Sequence, residues 1–212
     1  MTYYEYQAQV AKSMKLEQKV GKVLDKEFYE PLFTEWKRNN TNIEAQKRGI
    51  DARANLNGEL IYIDEKAGVK YWNRNLSTFA IEVDNGHVKP WFKLSDDNYQ
   101  LTTHYLFVWL RATDETLDDI TSFDAYLVPK QKIRAFMEEI NLTQNDIDNF
   151  QYYANEVDKW GRPYMTKYAL DGDPIKILQS KVNGQTPINV LIPKYKLAEM
   201  AVKTITYQAS AW

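Results

Sequence analysis

The sequence predicts an α/β fold, a central mixed β-sheet flanked by helices, and three observations predict it. A helical stripe opens the chain, a hairpin with period-two alternation follows it, and two strand-then-helix segments come later. In the stripe, Val20, Val23, Leu24 and Phe28 recur at helical spacing, with Lys12, Lys15, Lys19, Lys22 and Lys26 on the remaining arc. This predicts a helix over about residues 2–36, interrupted or restarted near Pro31.

After the polar run KRNNTN the period becomes two. GIDARANL reads as one strand, Asn57-Gly58 as a tight turn, and ELIYIDEKAGV as the returning strand. STFAIEV is a further strand, with a turn expected at Asp84-Asn85-Gly86, and HYLFVWLRA is an apolar run of strand length. DAYLVP then leads into a helix at KQKIRAFMEEI, and INVLIP into a helix at KYKLAEMAVKTI. The two junctions share a pattern, Leu127-Val128-Pro129-Lys130 against Leu191-Ile192-Pro193-Lys194, that suits Pro in a helix's first turn. We read it as repeated local chemistry and not as a duplicated domain. Between them, Thr143 is placed to cap a helix over NDIDNFQYYANEVDKW that ends near Gly161. No low-complexity stretch or linker divides the chain, so a single domain over residues 1–212 is expected.

Composition narrows the chemistry. The absence of cysteine excludes disulfides, thiolate nucleophiles and thiolate zinc sites, and two histidines are too few for a histidine zinc centre. No G-x-S-x-G, Walker A or dinucleotide-binding glycine pattern occurs. No run approaches a bilayer span and the first residues lack an apolar leader segment, so a cytoplasmic protein without membrane contact is expected. The net charge of −2 argues against a purely electrostatic nucleic-acid binder. Charge is nevertheless uneven: the window 37–74 holds eight Lys/Arg against five Asp/Glu, which is either a positive field or a solvated surface.

The hairpin concentrates the chemistry. On an extended strand Tyr62, Asp64 and Lys66 share one face, and Ile61, Ile63 and Glu65 share the other. A turn at Asn57-Gly58 sets Asp51 opposite Asp64 unless a bulge shifts the register. Opposed carboxylates repel and weaken a sheet, but a hard divalent cation reverses the sign. A neighbouring lysine then orients water or stabilises charge on a phosphate.

Asp51, followed after twelve residues by Asp64-Glu65-Lys66, resembles the signature of the PD-(D/E)XK nucleases, the superfamily of restriction endonucleases and related phage and repair enzymes. Ile50 stands where that signature has Pro, and the second acid is Asp where Glu is more frequent. The resemblance covers about residues 10–140 in outline, with 141–212 as a C-terminal extension. It implies a restriction-endonuclease-like sandwich, Mg²⁺ with Mn²⁺ as a possible substitute, and DNA as partner, with a homodimer allowed. Asp51 and Asp64 would be metal ligands and Lys66 the catalytic lysine. Family members often add an acid from the preceding helix, and Glu17 is the candidate; its other reading is an exposed helix residue. Gln46, Lys47, Arg48, Lys70 and Arg74 are candidates for substrate contact, with an ordinary surface as the alternative. A non-catalytic nucleic-acid-binding or interaction module on the same fold is the competing function, favoured by the acidic C-terminal half.

Overall fold

The computed structural model describes residues 3–39, 44–45, 48–84, 101–157, 163–180 and 186–209. The chain runs through α1 (Tyr3–Leu24), β1 (Trp36–Arg38), β2 (Ala52–Leu56), β3 (Glu59–Ala67), β4 (Thr78–Asp84), β5 (His104–Ala112) and β6 (Ile120–Pro129). It continues through α2 (Lys130–Glu139), α3 (Gln144–Val157), β7 (Tyr164–Tyr168), β8 (Pro174–Gln179), β9 (Ile188–Pro193), α4 (Lys194–Met200) and β10 (Lys203–Gln208). The architecture is α/β, as expected. The elements gather into two compact units. One comprises Met1–Leu76, Leu101–Lys130 and Ala201–Trp212, the other Ser77–Gln100 and Gln131–Met200.

The first unit holds a six-stranded mixed sheet in the order β1-β2-β3-β5-β6-β10. Only β3 and β5 pair in parallel; the other neighbours are antiparallel. One face is the core. Ile61 and Ile63 from β3, Leu106, Val108 and Leu110 from β5, and Phe123, Ala125 and Leu127 from β6 cluster there with Val20, Leu24 and Phe28. The helical stripe read from sequence is therefore the buried one. The helix ends earlier than expected. A five-residue π-helical turn, Asp25–Tyr29, follows α1, and a last short turn, Glu30–Leu32, carries Pro31 in its first positions. The wider turn buries Phe28 and Tyr29 side by side, their rings edge to face at 5.2 Å.

The second unit holds an antiparallel sheet in the order β4-β9-β8-β7. Ile81, Val83, Ile175, Ile177, Val190 and Ile192 are buried, as are Ile133, Phe136, Ile147 and Phe150 on the helices. Thr143 caps α3 as expected, exchanging hydrogen bonds with Asp146 in both directions. The expected end of that helix near Gly161 lies outside the described residues, as does most of the turn expected at Asp84-Asn85-Gly86.

Two expectations need correction. The helix read over KYKLAEMAVKTI stops at Met200, and Lys203–Gln208 is a strand pairing with β6. Thr204, Ile205 and Thr206 are β-branched, and their alternation turns Ile205 and Tyr207 onto the core. The paired Leu-x-Pro-Lys junctions share a geometry, but Pro129 and Pro193 are the last residues of β6 and β9 and each helix begins at the following lysine, so neither Pro lies in a helix's first turn. The Lys130 amide donates to Thr103 O and the Lys194 amide to Ser77 O, both at 2.8 Å, each tying a helix start to the residue before a neighbouring strand. Among the described residues no helix is long and apolar enough to cross a membrane.

Candidate active site

The hairpin forms in the register the turn dictates. Asn57 and Gly58 adopt φ of 54° and 89°, the left-handed pair a two-residue hairpin turn requires, and the Gly58 amide donates to Asn55 Oδ1 at 2.8 Å. Ala52 pairs with Ile63 and Leu56 with Glu59, with no bulge between them. Asp51, one step before β2, comes beside Asp64 where the paired ladder stops at Ala52 and Ile63. Its main chain is held from both sides: its amide donates to Ile63 O at 2.8 Å and its carbonyl accepts from the Asn39 amide at 2.7 Å. Asn39 Nδ2 also donates to Ile50 O. The residues leading into Asp51 are tied down as well, since buried Thr102 donates through Oγ1 to Gly49 O at 2.6 Å.

The side chains follow. The Glu65 amide donates to Asp51 Oδ2 at 2.8 Å, which turns the Asp51 carboxylate toward β3. Asp64 is 2 % exposed, and Lys66 Nζ lies 2.7 Å from its Oδ1. Asp64 Oδ2 is buried and finds no hydrogen-bond partner among the described residues. Burial pushes the Asp51 carboxyl up to about 6, and the Asp64 charge adds to the shift; the Glu65 amide, Lys66 and Arg38 oppose it. Burial raises Asp64 too, against the pull of Lys66. A half-buried and a buried carboxyl in this arrangement hold more negative charge than their surroundings neutralise, and either a proton or a cation relieves it.

Glu65 projects to the opposite face. Arg38 donates to both of its oxygens at 2.8 Å, and Tyr29 Oη donates to Oε1 at 2.7 Å. Arg38 also donates to Asp25 Oδ1 at 2.7 Å and to Gly21 O at 3.2 Å. A Cβ at position 21 would stand 3.2 Å from the guanidinium, so glycine leaves room for this approach. Burial would lower Arg38, but Glu65 outweighs it and holds the group above its ordinary value. Tyr29 is raised well above its usual range by burial and by Glu65. Nothing in the sequence singled out Arg38, because its strand is three residues long and follows a helix without alternation.

The other candidates divide. Glu17 is exposed on α1, yet partial burial of its carboxyl and the Asp51 charge raise it, while Lys66 and Lys70 oppose the shift. Among the described residues no three His, Asp or Glu side chains gather as a metal-binding group. Arg48 lies on the turn into Asp51, and Lys70 is exposed on the short 3-10 helix Val69–Tyr71 that follows β3. Arg74 is exposed beside a separate cleft. Gln46 and Lys47 lie outside the described residues. Lys37 and Arg53, cross-strand partners with Tyr62 next in the row, extend the Asp64 face with exposed positive charge.

No protein-family model matches this chain, and no curated protein matches it. Among solved structures, a crystal structure of a doubly substituted R.PabI in complex with nonspecific double-stranded DNA is similar at 17% identity. The match covers 66% of this chain and 78% of that one, with a TM-score of 0.17, a likeness too loose to carry an argument.

Proposed function

We propose that this chain is a metal-dependent nuclease that hydrolyses phosphodiester bonds in DNA on a restriction-endonuclease-like sandwich. The observation that carries the reading is half-buried Asp51 beside buried Asp64, with Lys66 Nζ 2.7 Å from Asp64 Oδ1 and no hydrogen-bond partner for Asp64 Oδ2 among the described residues. The donor set fits Mg²⁺, a hard cation that takes one or two carboxylates and completes its shell with water and phosphate oxygens; Mn²⁺ would substitute. When bound there, the cation would supply a more acidic water and a polarised phosphoryl oxygen.

The chain's own groups do the rest. Asp51 and Asp64 would hold the cation; Glu17, although its carboxyl feels the Asp51 charge, does not gather with them among the described residues. Lys66, with Nζ 2.7 Å from Asp64 Oδ1, would orient the attacking water and offset charge building on the phosphate. Lys37, Arg48, Arg53 and Lys70 attract the DNA backbone. A non-catalytic DNA-binding module is the second reading, and the absence of a gathered third carboxylate among the described residues favours it.

Cleavage of plasmid DNA with Mg²⁺ or Mn²⁺, by wild type, Asp64→Ala and Lys66→Ala, tests the proposal. Equal activity in all three overturns it. Calorimetric titration of Mn²⁺ into wild type and Asp51→Ala separates the readings, since the binding module shows no difference between them.

A further inference from the structure

A second feature lies in the same unit, away from the carboxylate pair. A cleft of about 110 Å³ is lined by Arg74, Trp109, Arg111, Ser122, Asp124 and Gln208, among others. Arg74 and Arg111 are exposed, and neither guanidinium has a hydrogen-bond or ion-pair partner among the described residues. The acid in the wall, Asp124, accepts from Thr206 Oγ1 at 2.7 Å. Two cations face one cleft against a single carboxylate, so the cleft favours an anion.

Its position along the sheet gives that anion a context. Asp64 pairs with Tyr105 on β5, and alternation puts Tyr105, Trp109 and Arg111 on the face that carries Asp64 and Lys66. Trp109 and Arg111 are four and six residues farther along, about 13 and 20 Å at the rise of a strand. A B-form strand advances about 3.4 Å per phosphate, so the cleft lies roughly four to six phosphates from the pair.

We infer that this cleft is a phosphate subsite for the DNA backbone, in which Arg74 and Arg111 hold one or two phosphodiesters of the strand being cut. The inference rests on the nuclease reading and assigns a footprint to it. Ser122 and Gln208 offer neutral donors beside the two guanidiniums, a mix that suits a phosphodiester, which carries one charge and two free oxygens. Arg74 and Arg111 are positioning residues, since they touch substrate far from the reacting bond.

The test is fluorescence anisotropy of a labelled 30-bp duplex in EDTA, over a salt series. It compares wild type, Arg74→Ala/Arg111→Ala, Arg74→Lys/Arg111→Lys, and Lys22→Ala as a control cation on α1. The alanine pair is expected to bind about tenfold more weakly near 0.1 M salt and to lose about 2 from the slope of log K against log salt, one per phosphate contact. The lysine pair should recover most of the slope, and Lys22→Ala should match wild type. A slope unchanged in the alanine pair overturns the subsite while leaving the nuclease reading intact, provided wild type binds and cuts. A wild type that neither binds nor cuts DNA overturns both. Matching thermal melts of the variants exclude misfolding as the cause.

Discussion

Asp64 and Glu65 are neighbours in the chain and opposites in the fold. Both are acids on one strand, both sit in surroundings that raise their pKa, and the pleat sends them to different faces. Glu65 meets a guanidinium across both oxygens and a phenol on one. Asp64 meets a lysine on one oxygen, while its other oxygen has no hydrogen-bond partner among the described residues and the Asp51 carboxyl lies close by. The first arrangement is complete as it stands and holds the helix turn to the sheet. The second leaves charge that a proton or a cation would relieve. Under the proposed function, the difference is that between an acid that holds the fold and an acid that would hold a cation.

The largest effect should fall on the face that carries Asp64 and Lys66. Asp64→Ala and Lys66→Ala are expected to lose about 10³-fold in single-turnover DNA cleavage, while Glu65→Gln, assayed where it is folded, stays within about tenfold of wild type. Equal losses on both faces would break the comparison. Stability should show the reverse pattern. Glu65→Ala leaves Arg38 and Tyr29 without their buried acceptor and should cost about 3 kcal/mol in urea unfolding, whereas Asp64→Asn should cost nothing.

Asp51 sharpens the contrast through pH. Its folded pKa of about 6 lies above its ordinary value of 3.8. The folded state thus holds a proton that the unfolded state has released. The resulting stability is fully present below about pH 4 and is lost as pH rises through 6. Without divalent cations, Asp51→Asn should therefore be about 2 kcal/mol more stable than wild type at pH 8, and the gap should close near pH 4. The smallest effect is on the wild type itself. Mg²⁺ or Mn²⁺ at ten times its Kd should stabilise it by about 1.4 kcal/mol at pH 8 in thermal melts. The gain should be clearly less at pH 5, where Asp51 is mostly protonated.

The hairpin was legible because its information is local. Asn57-Gly58 specifies the turn, the turn specifies the register, and alternation assigns Ile61, Ile63 and Glu65 to one face and Asp64 and Lys66 to the other. The rest of the neighbourhood is contributed by distant segments. Arg38 arrives on a three-residue strand with no period to detect, and its pairing with Glu65 depends on Gly21 and on a π-helical turn that helical spacing does not announce. β5 joins β3 in parallel from far along the chain, so the line from Asp64 through Tyr105 to Arg111 has no sequence pattern. β10 was hidden behind a helix whose apolar spacing ran on into Lys203, and β7 and β8 lie in polar sequence with weak alternation. The two compact units interleave along the chain, which leaves no change of composition to mark where one gives way to the other.

The parallel pairing of β3 with β5 also has a consequence in time. A tight hairpin closes in about 1–10 μs, whereas a parallel partner brought in from beyond residue 100 must wait for a long loop to close. Asp51 and Asp64 should thus meet first in water, where their repulsion is weak and well screened, and lose solvent later, when β5 docks. The electrostatic cost falls on the late step of folding. Refolding should slow as pH rises from 5 to 8, and a divalent cation should speed the docking step if it binds the half-built site.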